Sequence, residues 1–331
     1  MAHARMGWWI AMMLIACAGG CGKDPPPRGG RDAGTRPDTG PPPGRDAGPD
    51  GGPSATDPAV LARAAVVLSS CLGGSAGARL LDALGTVTAP SGLGHLLREH
   101  AVCLATTGTG CDALDTCLGI ELDVPGECTA GCDGTTAVIC GASHVRWRCA
   151  DTGLTCAEGQ CLADGAACTE SACEGDVPRV CLGTVAERGP SCAEHALDCV
   201  HPLGEGVDGG VAAAAGCRGP GGDCTSTVKT TLSIDFLSDA IECVDADRIA
   251  TCINDGRHEM ACSDLLPGLS CRTTSDVERL PFCGLSNECN PLTAVVEYCS
   301  GTELVVCNLG RLDRVSCSRL GFSRCTTGRC A

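Results

Sequence analysis

The chain has 331 residues, and 30 of them are Cys against one Tyr, three Phe and three Trp. Its formal net charge of -16 disfavours nucleic acid and anionic lipid headgroups as partners. So little aromatic mass excludes an ordinary core of large side chains, and points to cross-links worth about 2–4 kcal/mol each, formed in an oxidising compartment.

The first residues, MAHARMGWWIAMMLIACAGGC, join a short n-region with Arg5 to an apolar run from Trp8 to Ala16, followed by small residues and Cys. That is the layout of a secretory signal. The run is shorter than the roughly 18 apolar residues that a bilayer span requires. Leu14-Ile15-Ala16-Cys17 resembles a bacterial lipobox, in which the Cys becomes the lipid-bearing first residue after cleavage. Ala18-Gly19-Gly20-Cys21 is the alternative. Residues 1–21 therefore read as a lipoprotein signal and anchor.

Residues 22–55 are mostly Pro, Gly, Asp and Arg. Such a segment has nothing to bury and cannot offset its ordering entropy, so it reads as a disordered tether. Its reach is on the order of 30 Å as a coil and ~100 Å near polyproline geometry. Five basic and six acidic residues lie between Lys23 and Asp57, so the acidic excess belongs to the body beyond.

Residues 56–122 have helical periodicity. TDPAVLARAAVVLSSCLGG offers Thr56 as a cap before Pro58 and places Val60, Leu61, Ala64, Val67, Leu68 and Cys71 near one face. A second helix is expected in ARLLDAL, a third in SGLGHLLREHAVCLATTG and a fourth in CDALDTCLG. Cys71, Cys103, Cys111 and Cys117 make two bridges here, with three pairings open.

After Glu127 short alternating runs separated by Gly, Asn and Asp take over, and they repeat. The first unit, 126–161, holds Cys128, Cys132, Cys140, Cys149, Cys156 and Cys161; the second, 166–217, holds Cys168, Cys173, Cys181, Cys192, Cys199 and Cys217. The third, 222–283, holds Cys224, Cys243, Cys252, Cys262, Cys271 and Cys283; the fourth, 287–331, holds Cys289, Cys299, Cys307, Cys317, Cys325 and Cys330. The second and third Cys are always separated by seven or eight residues and the third and fourth by eight to ten, whereas the outer gaps vary.

A hairpin accounts for the constant gaps. Arg248 to Ile253 meets the turn Asn254-Asp255-Gly256 and returns through His258 to Cys262; Asn308-Leu309-Gly310 and Gly141-Ala142-Ser143 are the equivalent turns. The third Cys lies beside the turn and the fourth near the base, too far apart at ~3.3 Å per residue to bond. The expected pairing within each unit is first to third, second to fourth and fifth to sixth. GEGVDGGVAAAAG in the second unit is an expected mobile loop.

Together, the Leu14–Cys17 lipobox, the Asp/Gly/Pro/Arg tether and the C-x-G-x-x-x-V-x-C hairpins, met in Cys132–Cys140 and Cys299–Cys307, resemble the cysteine-rich surface lipoproteins of myxobacterial type. The resemblance implies envelope location and display, and no chemistry.

Chemical motifs are sparse. No C-x-x-C is present, which argues against zinc knuckles and thioredoxin-like redox chemistry. RHEMAC, Arg257–Cys262, begins like a zincin helix but lacks the second His, so His258 reads as an exposed strand residue. Asp245 and Asp247 alternate and form a weak calcium candidate, with Glu242 on the opposite pleat; two carboxylates are few for that ion, and a solvated acidic edge that blocks strand addition is the favoured reading. Trp147 and Tyr298 are nearly the whole supply of aromatic rings for carbohydrate stacking, and Trp147 is expected to pack over a bridge. A hydrolase would draw on His144, His195 or His201 with a Ser and an Asp brought together by the fold.

The sequence thus predicts a small disulfide-rich, mainly β protein of tandem six-Cys hairpin units with an N-terminal α-helical cap. Its expected role is non-catalytic binding, adhesion or structural display from the outer membrane or periplasmic face of a bacterial envelope, without a cofactor. The expected partners are the membrane, through the N-terminal lipid, and an unidentified protein or glycan. A hydrolase on the exported side is the alternative.

Overall fold

A computed structural model describes residues 53–72, 86–122, 124, 126–141, 144–203, 214–226, 229–236, 239–274, 279–291 and 298–331. The expected signal, Cys17, Cys21, nearly all of the tether and the ARLLDAL helix lie outside these residues.

The chain is mainly β, built from short antiparallel strands with a few helices and 14 disulfides. Helix α1 (Pro58–Leu72) begins as predicted, but its cap is Asp57, not Thr56: Asp57 Oδ1 accepts the amide of Ala59 at 2.8 Å. Helix α2 (Leu93–Thr106) packs on α1, and helix α3 (Asp112–Leu118) follows. Bridges Cys71–Cys111 and Cys103–Cys117 tie the three together and settle the open pairing.

Each repeat is one supersecondary unit in the same order. In the first, β3 (Gly131–Asp133), β4 (Thr136–Cys140) and β5 (His144–Arg148) form a meander; a 3₁₀ turn starts at Cys149; β6 (Thr155–Ala157) and β7 (Gln160–Leu162) close as a hairpin. The second unit repeats this with β8 (Ala172–Glu174), β9 (Val177–Leu182) and β10 (Val185–Arg188), then β11 (Asp198–Val200) and β12 (Gly216–Arg218). The third has β14 (Ala240–Cys243), β15 (Arg248–Ile253) and β16 (Gly256–Ala261), a helical turn α4 (Cys262–Leu265), then β17 (Ser270–Thr273) and β18 (Pro281–Gly284). The fourth has β19 (Tyr298–Ser300), β20 (Glu303–Asn308) and β21 (Arg311–Ser316), then β22 (Cys325–Thr326) and β23 (Arg329–Cys330).

The predicted hairpins are β15–β16 and β20–β21. Asn254 and Asp255 turn the first at φ 48° and 66°, and Leu309 and Gly310 turn the second at 51° and 83°, the left-handed pair that a two-residue type I′ turn requires.

Every unit uses the pairing first to third, second to fifth and fourth to sixth, as in Cys128–Cys140, Cys132–Cys156 and Cys149–Cys161. The first-to-third bridge is the expected one; the expected second-to-fourth and fifth-to-sixth bridges are not formed. The reason is the third strand. The second Cys sits on the outer strand (β3, β8, β14, β19) and the fourth follows the far strand of the meander, with the central strand between them. Two strand spacings amount to ~9–10 Å, beyond the reach of one disulfide. The fifth and sixth Cys do face each other across the closing hairpin, as in Cys156↔Cys161 and Cys325↔Cys330. Each nevertheless turns to a different edge of the meander, so the hairpin clamps both edges at once.

The helices touch all four units. Strand β2 (Ile120–Glu121), leaving α3, adds to the first unit beside β5. The carboxyl of Glu187 in the second unit accepts from Ser91, just ahead of α2. Strand β1 (Thr86–Thr88) pairs with β13 (Ser233–Asp235) in the long first gap of the third unit. In the fourth, Asn308 Nδ2 donates to the Pro58 carbonyl at 3.0 Å, and the Cys330 amide donates to Ser70 Oγ at 3.2 Å. One continuous buried cluster runs from Val60 in α1 through Phe236 and Ile249 to Leu320 and Cys330. The predicted helical cap is thus a hub around which the units are arranged, and its apolar residues supply the core that each small unit lacks.

Candidate functional site

A cleft with a volume of about 460 Å³ lies between the second and third units. Its apolar wall is Val200 at the end of β11 with Pro202 and Leu203 beyond it; its polar side is Arg218 on β12, Asp223 to Thr225, and the Asn254–Asp255 turn.

The floor is rigid for identifiable reasons. Asn254 is buried, and its Nδ2 donates to the carbonyls of Cys217 at 2.6 Å and Thr230 at 2.8 Å while Oδ1 accepts the Thr230 amide at 2.8 Å. Lys229 Nζ lies 2.8 Å from Asp255 Oδ2 and also donates to the Leu203 carbonyl at 3.3 Å. Burial opposes ionisation of Asp255, but hydrogen bonds from Lys229 and the Ser226 amide overcome it and hold the carboxyl below the ordinary carboxylate range. The bridge Cys224–Cys252 anchors this edge of the third unit.

Arg218 is held less completely. One terminal nitrogen, Nη2, donates to Asp223 Oδ1 at 2.8 Å and to the Asp255 carbonyl at 3.1 Å. Its Nε and Nη1 have no partner among the described residues. The Asp223 side chain is 95% exposed, so this ion pair is of the weak, solvent-screened kind.

The residues singled out in the sequence fall in separate places. His195 and His258 come together on either side of Phe236, with ring centroids 5.9 and 5.8 Å from it. His258 is buried at 5% exposure, which corrects the expectation of an exposed strand residue: it lies on the inward face of β16, beside Phe236. Burial lowers the pKa of both imidazoles, and their mutual repulsion lowers His258 further. His144 is elsewhere, with Nδ1 3.2 Å from the Val124 carbonyl, and His201 precedes Pro202 at the rim of the cleft.

Asp245 Oδ1 accepts the amides of Asp247 at 2.8 Å and Arg248 at 2.9 Å, closing the turn between β14 and β15. No group of three or more His, Cys, Asp or Glu suited to a metal ion occurs among the described residues. Trp147 is buried in the core, with its carbonyl 3.7 Å from Cys149 Sγ and 3.8 Å from Cys161 Sγ. Tyr298 is exposed on β19.

Sequence reasoning did not find the cleft. Asp255 was legible only as a turn residue, and Arg218 carried no motif. The one available signal was Lys229, the sole lysine besides Lys23.

This architecture defines a disulfide-stapled, mainly β repeat protein with a helical hub, of the type suited to extracellular or envelope-exposed settings. No helix among the described residues is long and apolar enough to cross a membrane. The chain matches no family model, no curated protein and no solved structure.

Proposed function

We propose that this chain is a lipid-anchored protein of a bacterial envelope whose stapled ectodomain serves binding, adhesion or structural display without catalysis. The observation that carries the reading is the same three-bridge pattern repeated in four units. A scaffold of this kind tolerates sequence change in its outer loops while holding their ends fixed, and needs an oxidising setting to form. The lipobox at Cys17, with Cys21 as alternative, and the resemblance to surface lipoproteins of myxobacterial type supply the anchor, the membrane partner and the envelope location. A protein or glycan is the partner on the outer side.

Metabolic labelling with palmitate tests the anchor: incorporation is expected in the full chain and lost in Cys17→Ser or Cys21→Ser. Incorporation that survives both changes made together would refute it. The ectodomain is expected to stay unlabelled by activity-based serine-hydrolase probes, and labelling would favour the hydrolase.

A further inference from the structure

The geometry points to a carboxylate-binding site in the cleft between the second and third units, with Arg218 as anchor and a short peptide bearing a free C-terminal carboxylate and an aliphatic last residue as ligand. The inference rests on the non-catalytic binding reading but not on the lipid anchor.

Three observations converge. Arg218 presents a guanidinium in the cleft with two of its three nitrogens unpartnered among the described residues, and a planar fork of this kind takes a carboxylate in bidentate fashion. The group now opposite it, Asp223, is itself a carboxylate and nearly fully exposed. It marks the place a ligand carboxylate would take and can swing into water when displaced. Val200, Pro202 and Leu203 line the same cleft, an apolar surface for an aliphatic side chain. About 460 Å³ lies within the range of small-molecule sites and exceeds what a single amino acid fills.

The other charges explain why a carboxylate is preferred. Asp255, the second acid in the cleft, is already neutralised by Lys229 at 2.8 Å. Asp198 is the cross-strand neighbour of Arg218 on β11, and Asp223 competes for Arg218 by pairing with it. Removing that competitor should therefore tighten binding, an outcome that a merely structural Arg218–Asp223 pair does not produce.

The test is isothermal titration of the oxidised ectodomain with the tripeptide Ala-Ala-Leu as free acid and as C-terminal amide. The free acid is expected to bind saturably, and the amide at least about tenfold more weakly, as loss of a charge-assisted hydrogen bond implies. Asp223→Asn is expected to tighten the free acid a few-fold and leave the amide unchanged. Arg218→Gln is expected to abolish the difference between the two. Because acid and amide are compared on the unmodified protein, a variant that misfolds does not decide the matter. Equal binding of acid and amide, or no saturable binding up to millimolar peptide, would overturn the assignment. Release of Leu from a bound peptide would instead overturn the non-catalytic reading and leave the carboxylate site standing.

Discussion

His258 lies in a strand, yet its side chain is buried, with Phe236 beside it and His195 near enough to repel its charge; Arg98 acts in turn on His195. Glu194, Glu259 and Asp264 are the nearby acids, and they only partly offset the desolvation. Both imidazoles thus favour the neutral form in the folded chain. Above their ordinary value of 6.5 folded and unfolded chains are equally uncharged at these positions, so the pair has no effect on stability. As the pH falls through that value the unfolded chain takes up protons first, and stability declines until the depressed folded values are passed. Glu187 acts in the opposite sense: burial raises its carboxyl, so the folded chain takes up this proton first and stability is gained as the pH falls from the raised value to the ordinary 4.5, with no further change below it. Urea unfolding at pH 7.5 and pH 5.5 is expected to show a fall in midpoint that His258→Gln reduces. An unchanged fall in the variant would contradict this account.

Arg148, also at the residue scale, joins hub and first unit: it lies 2.7 Å from each of Asp115, Glu121 and Asp151. Asp151 and Asp115 raise its pKa, which needs no raising to keep the group charged. The group is a third exposed, so its worth is that of a surface network. Arg148→Ala is expected to cost about 1 kcal/mol in thermal or urea unfolding.

Within the elements, the turns decide what a unit tolerates. Gly175 and Gly310 both have positive φ, 67° and 83°. A Cβ on Gly175 meets open space, whereas on Gly310 it would press into the Ser286 carbonyl and the Phe282 ring. Gly175→Ala is expected to cost about 1 kcal/mol, the backbone term alone, and Gly310→Ala at least about 2 kcal/mol more through overpacking. Equal costs would show that the third and fourth units do not approach at this turn.

Much of each unit was legible because it is local. The β15–β16 strands and their Asn254–Asp255 turn follow from alternation and turn chemistry, and the third Cys reaches outward to the first as spacing required. The second-to-fifth bridge was not legible. It depends on the outer strand of the meander, only three or four residues long and carrying too little periodicity to announce itself. The burial of His258 was not legible for a related reason: the face that β16 buries packs against Phe236, which precedes the meander in the long first gap of the unit. The cleft was invisible because Arg218 and Asp255 belong to different units.

For the whole molecule, the hub makes the four units one structure. Asn308 is fully buried and links β20 to the first turn of α1 across 250 residues of sequence. Asn308→Ala removes the side-chain donor to the Pro58 carbonyl, a loss of about 1 kcal/mol. Hydrogen exchange is expected to accelerate both in α1 and in the β20–β21 hairpin. Acceleration confined to the hairpin would mean that the last unit is independent of the hub.

The three-bridge pattern can be checked in the last unit, where Arg324 and Arg329 allow trypsin to separate Cys325 from Cys330. Mass spectrometry of the non-reduced tryptic digest is expected to recover Cys299 linked to Cys325 and Cys317 linked to Cys330 as distinct species, with no free thiol. A Cys325–Cys330 or Cys299–Cys317 linkage, or 28 free thiols after denaturation, would contradict it.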